Sequence, residues 1–383
     1  MKKINLNKDI ISFLNNSHIK TPCLVVDLEL VEESFKLLSS AFSGSDIFYA
    51  VKANSAPEVL KTLNNLDSKF DVSSIKEIEM CLAQGISPKN MSFGNTIKKS
   101  EDIAWAYEKG VKLFVFDSIE ELKKIAKYAP RSKVYCRLQV DNKGAHWPLS
   151  NKFGCSFDMV KELLLEAKHM GLLAVGISFH VGSQQTNLDR WEEALALCKK
   201  INLFLEKNKI NIEFINIGGG IPVNYLGEKI NLKKFNIKLN DSFKKYFDKK
   251  KIKMMLEPGR ALLANAGIIE SEIILVSKKS KNSKERWVYI DVGRFGGLAE
   301  TDGESIKYDI KPIIGSNKLG PVVIAGPTCD GVDVLYEKIK YQFPLNIKSG
   351  DRIRIFSAGA YTSVYSSAFN GFSPLNEYFI NFK

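Results

Sequence analysis

The chain lacks most of the features that would settle its class at once. No apolar run approaches the roughly 20 residues that cross a bilayer, so no membrane span is expected. Its start, Met1-Lys2-Lys3-Ile4-Asn5-Leu6, carries charge without the continuous apolar segment of a secretory signal, and the expected compartment is the cytoplasm. The six cysteines (Cys23, Cys81, Cys136, Cys155, Cys198 and Cys329) form no CxxC pair, which fits free thiols in a reducing compartment better than a disulfide framework. Four dispersed histidines, His18, His146, His169 and His180, show none of the spacings that announce zinc, and no metal is expected. Acidic residues are the scarcer charge, 43 against 55 basic, for a net charge of +12. The lysines are spread along the chain, with short clusters at Lys249-Lys250-Lys251 and Lys278-Lys279-Ser280-Lys281. No nucleic-acid motif or interleaved aromatic platform accompanies them, so they read as solvated surface. No G-x-G-x-x-G opens a helix after the first strand, which disfavours a Rossmann sheet.

What is present is a regular alternation. The apolar run Ile47-Phe48-Tyr49-Ala50-Val51-Lys52-Ala53-Asn54 predicts a buried strand, stopped by Asn54, Ser55 and Pro57, with Lys52 at its carboxyl end. Residues 57–66 predict a helix directly after it. Seven further strands are predicted at 70–74, 91–96, 113–118, 134–138, 176–180, 214–218 and 254–258. Helical spacing of apolar residues fills 75–84, 100–109, 119–128, 157–170 and 188–208. Eight β/α units over about 220 residues is the size of a (β/α)₈ TIM barrel. After Arg260 the rhythm changes to short strands, at 267–276, 287–291, 322–325 and 351–356. The expected organisation is α/β: a barrel over residues 30–262 and a mostly β second domain from 263–383 plus 1–29, completed by the first strand, which the apolar run 21–30 predicts.

Polar residues at the carboxyl ends of barrel strands gather at one mouth. Those residues are Lys52, Asp71, Asn95, Asp117, Arg137, His180, Gly218-Gly219-Gly220, and Glu257 with Arg260. Each has an ordinary explanation alone: a snorkelling ammonium, a plain glycine turn, a salt-bridged turn, a hydrogen-bonded histidine. Together they suit a phosphate-bearing aromatic ring joined to an amine. Lys52 would form the covalent link and His180 would cover the ring face. The glycines and Arg260 would hold the phosphate, and Glu257 would keep the ring nitrogen protonated. Pyridoxal phosphate is the cofactor with these needs.

The motifs YAVKAN, FDVSS with Glu77, SFHVGSQ, NIGGGIP, EPGR, GPTCDG and GAYT lie between Tyr49 and Thr362, within a likeness that runs from Thr21 to Phe372. In combination they resemble the alanine-racemase-like, fold type III pyridoxal-phosphate enzymes, and within these the ornithine and lysine/ornithine decarboxylases. The resemblance implies that Lys52 carries the cofactor, His180 stacks on it and Glu257 pairs with its ring nitrogen. Ser183, Gly218, Gly219, Gly220, Arg260 and Tyr361 would hold the phosphate, with Asp71, Glu77 and Arg137 close to the cofactor. It further implies a head-to-tail homodimer with shared sites. There Cys329 lies by the reacting carbon, and Asp330, with Asp291, meets the distal amine of a small basic amino acid. The stretch Asp291-Val292-Gly293-Arg294-Phe295 departs by one residue from the family's commoner Asp-Gly-Val-Tyr-Gly. The activity implied is decarboxylation of L-ornithine to putrescine, with L-lysine to cadaverine beside it. Diaminopimelate and carboxynorspermidine decarboxylases share the fold; the former generally carry Glu after the Cys and need a basic residue for a distal carboxylate. A racemase would need a second base opposite the lysine. An inactive regulatory homologue is disfavoured, because Lys52, Glu257, Arg260, Cys329 and Asp330 are all present.

Overall fold

The computed structural model describes residues 8–17, 19–147, 152–248 and 251–381. The first residues, His18 and the lysines at 249 and 250 lie outside the described residues. By contact the chain divides into two units: Ser34–Pro222 with Ile230–Gly259, and Met1–Glu33 with Val223–Lys229 and Arg260–Lys383.

The first unit is a closed barrel of eight parallel strands. In chain order they are Asp46–Ala50, Lys69–Val72, Met91–Phe93, Leu113–Phe116, Lys133–Arg137, Leu173–Ser178, Phe214–Asn216 and Lys253–Leu256. Pairing of Met255 with Asp46 and of Leu256 with Ile47 closes the ring. All eight stretches expected as strands are barrel strands. Phe48, Val115, Tyr135, Val175, Phe214 and Met255 form one buried cluster within the barrel unit. Gly176 is part of that packing, because a Cβ there would lie 2.5 Å from the Phe214 ring.

Serine side chains start several of the intervening helices. Ser74, Ser118 and Ser156 accept from the backbone N–H groups of Glu77, Glu121 and Met159, capping Ile75–Ala83, Ile119–Tyr128 and Phe157–His169. Each cap satisfies one orphan donor of the first turn, a contribution of about 1 kcal/mol. Leu232–Tyr246, with Asn231 as its cap, is a helix that the apolar spacing did not single out. An antiparallel ribbon, Ala145–Trp147 with Ser183–Gln185, is inserted after the fifth and sixth strands.

The second unit is mostly β, as expected. Its central sheet runs Asp309–Pro312, Arg352–Phe356, Gly267–Ser277, Arg286–Ile290, Leu319–Ala325, Val334–Pro344. Cys23–Asp27 pairs antiparallel with Gly267–Ser277 and parallel with Asn376–Ile380, so the first strand does complete this sheet. Ile10, Leu14, Cys23, Val25, Ile268 and Ile380 pack together beside it. The first strand stops earlier than the apolar run 21–30 suggests. Asp27 Oδ1 accepts from the N–H groups of Glu29 (2.9 Å) and Leu30 (3.3 Å), and this starts the helix Leu28–Ala41. Among the described residues no helix is long and apolar enough to cross a membrane.

Candidate functional site

The barrel presents its polar strand ends as the strand-end rule predicts, with one shift. The strand carrying Lys52 ends at Ala50, and Lys52 sits in the 3₁₀ turn Val51–Ala53 directly after it. Tyr49 contributes its hydroxyl to the Asn54 carbonyl at 2.6 Å, which pins this turn. The Lys52 side chain is half exposed, and its Nζ lies 3.8 Å from Asp71 Oδ2. Asp71 is buried, and its Oδ1 has no hydrogen-bond partner. Burial, and then the charge of Glu257, hold the Asp71 carboxyl well above the usual range, while Lys52 pulls it back.

Glu77 lies in the first turn of the helix Ile75–Ala83, which follows the strand carrying Asp71. Its Oε2 accepts from the Ser73 N–H at 2.6 Å. Burial raises its pKa against the pull of that hydrogen bond and of Lys52. Asp117 and Asn95 turn to loop bracing instead: Asp117 Oδ2 accepts from the Gly154 N–H at 2.7 Å, and Asn95 donates to the Ser73 carbonyl. Arg137 ends its strand against the Phe153 ring, and burial lowers its pKa against the pull of Glu257 and Asp117.

His180 follows the sixth strand, and its Nδ1 accepts from the Gly182 N–H at 3.0 Å. Nε2 therefore carries the hydrogen. Burial, with the Arg137 and Lys52 charges, pushes its pKa well below the ordinary value, so the ring is neutral. Ser183 lies on the inserted ribbon, opposite Trp147.

The triple glycine is enforced by its surroundings. A Cβ at Gly218 would lie 2.5 Å from the Phe179 carbonyl oxygen, one at Gly219 2.7 Å from that of Glu257, and one at Gly220 2.4 Å from that of Gly182. Gly218 and Gly220 also have φ of +69° and +89°, which side chains rarely adopt. Gly219 brings its backbone beside His180 Nε2. Glu257 is held by Asn216, whose Nδ2 donates to Oε1 at 2.5 Å, and Asn216 Oδ1 accepts from the Gly218 N–H at 2.9 Å. The sequence reading gave Asn216 no role, although an Asn two residues before a glycine run is itself a turn signal.

In the β-rich unit Arg260 is buried. It donates to Glu300 at 2.6 Å and to the Tyr225 hydroxyl at 2.9 Å, and its guanidinium lies 4.9 Å from the Tyr361 ring centre. Tyr361 holds a φ of +57°. Glu300, forty residues from Arg260, was not anticipated. Cys329 is exposed, and its Sγ lies 3.3 Å from Asn370 Oδ1. Asp330 Oδ1 accepts from the Val332 N–H. Buried Asp333, also unforeseen, accepts from the N–H and hydroxyl of Thr328 and from the Arg294 N–H, fixing the Cys329–Asp330 loop. Asp291 is engaged within the sheet: its Oδ1 accepts from Ser271 Oγ at 2.6 Å and the Glu272 N–H at 3.0 Å. Burial raises its pKa against those bonds.

A family model described as pyridoxal-dependent decarboxylase, pyridoxal binding domain, matches residues 28–264. The lysine/ornithine decarboxylase of Selenomonas ruminantium is 32% identical over 373 residues, covering 97% of this chain and 92% of that protein. A crystal structure of SrLDC with PLP and cadaverine superposes with a TM-score of 0.88 at 31% identity, over 99% of this chain and 95% of that one. The lysine/ornithine decarboxylase of Vibrio vulnificus with cadaverine gives 0.88 at 27% identity, over 98% and 100%.

Proposed function

The chain belongs to the pyridoxal-dependent decarboxylases, and we propose that it converts L-ornithine to putrescine and CO₂, accepting L-lysine as well. The residues present suit pyridoxal phosphate. Gly218, Gly219 and Gly220 expose backbone where side chains do not fit, and Asp71 keeps a buried, unpartnered carboxylate oxygen near the Lys52 amine. When bound, pyridoxal phosphate supplies an electron sink for the pair left on carbon as CO₂ departs.

The chain's own groups divide the remaining work. Lys52 offers the amine that anchors the cofactor, with the buried Asp71 carboxyl 3.8 Å from it. Glu257, one oxygen already filled by Asn216, turns the other to the ring nitrogen. Neutral His180 covers the ring without adding a charge that would oppose protonation of that nitrogen. The glycine run and Ser183 take the phosphate, with Glu77 and Arg137 supporting the cofactor's surroundings. The Cys329 thiol returns one proton to the carbon that lost its carboxyl group. Asp330 receives the substrate's far ammonium, and is the observation that carries the basic substrate. Asp291, tied by Ser271 and the Glu272 N–H, serves the sheet in this proposal, a revision of the role its sequence position suggested.

The choice between ornithine and lysine turns on one methylene, about 1–3 kcal/mol in a pocket. We further propose a homodimer whose partner supplies the Cys329–Asp330 loop, in the cytoplasm, where the six free thiols suit a reducing medium. Two measurements test this. The purified protein should release CO₂ from ornithine faster than from lysine. Borohydride reduction followed by mass spectrometry should place the cofactor on the peptide bearing Lys52. A colourless protein that takes up no pyridoxal phosphate, or a label on another lysine, ends the proposal.

A further inference from the structure

Asn216 is fully buried at the end of the seventh barrel strand, and its carboxamide faces two groups with opposite needs. A backbone N–H can only donate, so the Gly218 N–H fixes the carboxamide oxygen on its side, at 2.9 Å. The amide nitrogen then has to face Glu257, and it too can only donate, so Oε1 has to accept at 2.5 Å. A proton on Oε1 is excluded by this arrangement. The Gly218 peptide is gripped a second time, since its carbonyl accepts from the Glu257 N–H at 2.9 Å. Asn216, Gly218 and Glu257 thus form a closed triangle across two neighbouring strands. We infer that Asn216 is a positioning residue that sets both ends of the cofactor site together: its oxygen opens the glycine cradle for the phosphate, and its N–H holds Glu257 as an acceptor for the ring nitrogen. This rests on the pyridoxal-phosphate reading of the site.

The groups that act on Glu257 from the surrounding strands are Asp71, Tyr135 and Arg137. Asp71 opposes a second negative charge and Arg137 favours it. The Asn216 N–H adds to the side of Arg137 without bringing a charge of its own. An aspartate at 216 would keep the turn at Gly218 but set its other oxygen 2.5 Å from Glu257, where only a shared proton relieves the repulsion. A leucine would fill the space and lose both bonds.

The test compares wild-type protein with Asn216→Asp and Asn216→Leu. It measures affinity for pyridoxal phosphate, competition by inorganic phosphate, and the pH dependence of the bound cofactor's visible absorbance. Asn216→Leu should weaken pyridoxal phosphate by roughly 30-fold, with inorganic phosphate weakened as well. Asn216→Asp should keep inorganic phosphate within about threefold of wild type, since its turn survives. Its affinity for pyridoxal phosphate should fall as pH rises from 6 to 9, as the shared proton is lost, with an absorbance transition that wild type lacks. If Asn216→Leu does not fold, Asn216→Asp alone decides, by that pH dependence. Asn216→Asp with a wild-type pH profile overturns the inference while leaving the cofactor reading intact. Wild-type protein that takes up no pyridoxal phosphate removes the reading beneath, and the inference with it.

Discussion

A single methyl group at position 219 would lie 2.7 Å from the Glu257 carbonyl oxygen and 3.3 Å from His180 Nε2. Gly219→Ala should therefore weaken pyridoxal phosphate by about tenfold or more while the barrel stays folded, as titration of the cofactor's absorbance beside circular dichroism will check. Asp71 gives a prediction of opposite sign for stability. Its folded-state pKa is raised above the ordinary 3.8, so the folded chain keeps a proton that the unfolded chain releases. That contribution to stability is complete below 3.8 and is lost as pH climbs through the folded-state value. Asp71→Asn, which has no proton to lose, should raise Tm of the cofactor-free protein by about 2–4 °C at pH 8 and by little at pH 4, while its catalysis falls. At this scale Lys52, His180, the glycine run and Glu257 were legible because strand ends in a parallel barrel share one mouth. Glu300 was not, because no spacing rule connects an arginine to an acid forty residues downstream.

Elements hold these residues through their loops. Asp333 gathers three donors, the Arg294 N–H and the N–H and hydroxyl of Thr328, and so fixes the turn that presents Cys329 and Asp330. A Cβ at Gly293 or Gly326 would collide with its carboxylate, so both glycines are required. Asp333→Ala should cost about 2–4 kcal/mol in urea denaturation, since two backbone N–H groups lose their acceptor where the loop packs closely. The eight barrel strands and five of the helices were readable from apolar period alone. Their ends were less so, because local caps decide them: Asp27 turns the expected strand into helix at Leu28. The helix Leu232–Tyr246 escaped notice because its buried residues, Phe235, Leu239 and Phe243, come only once per turn among lysines and asparagines.

For the whole molecule, the proposed sharing of sites between two copies has a direct consequence. Lys52→Ala and Cys329→Ala chains, each inactive alone, should recover on the order of a quarter of wild-type activity when unfolded together and refolded as a mixture. About half of the dimers would be mixed, each with one intact site of two. A mixture as inactive as its parents would show that each chain works alone. The net charge of +12 opposes a cationic substrate at long range, so the role proposed for Asp330 is a local attraction that works against the field of the whole chain.

The strand Cys23–Asp27, buried at all five residues, pairs with Gly267–Ser277 on one side and Asn376–Ile380 on the other. During translation it leaves the ribosome roughly 240 residues before the first partner and 350 before the second. At about 5–20 residues per second it waits on the order of 12–70 s with an apolar edge uncovered. The barrel has all its strands while the sheet is still open. A nascent chain of this protein therefore depends on a holding chaperone, or on transient burial of that first strand, more than the finished molecule would suggest.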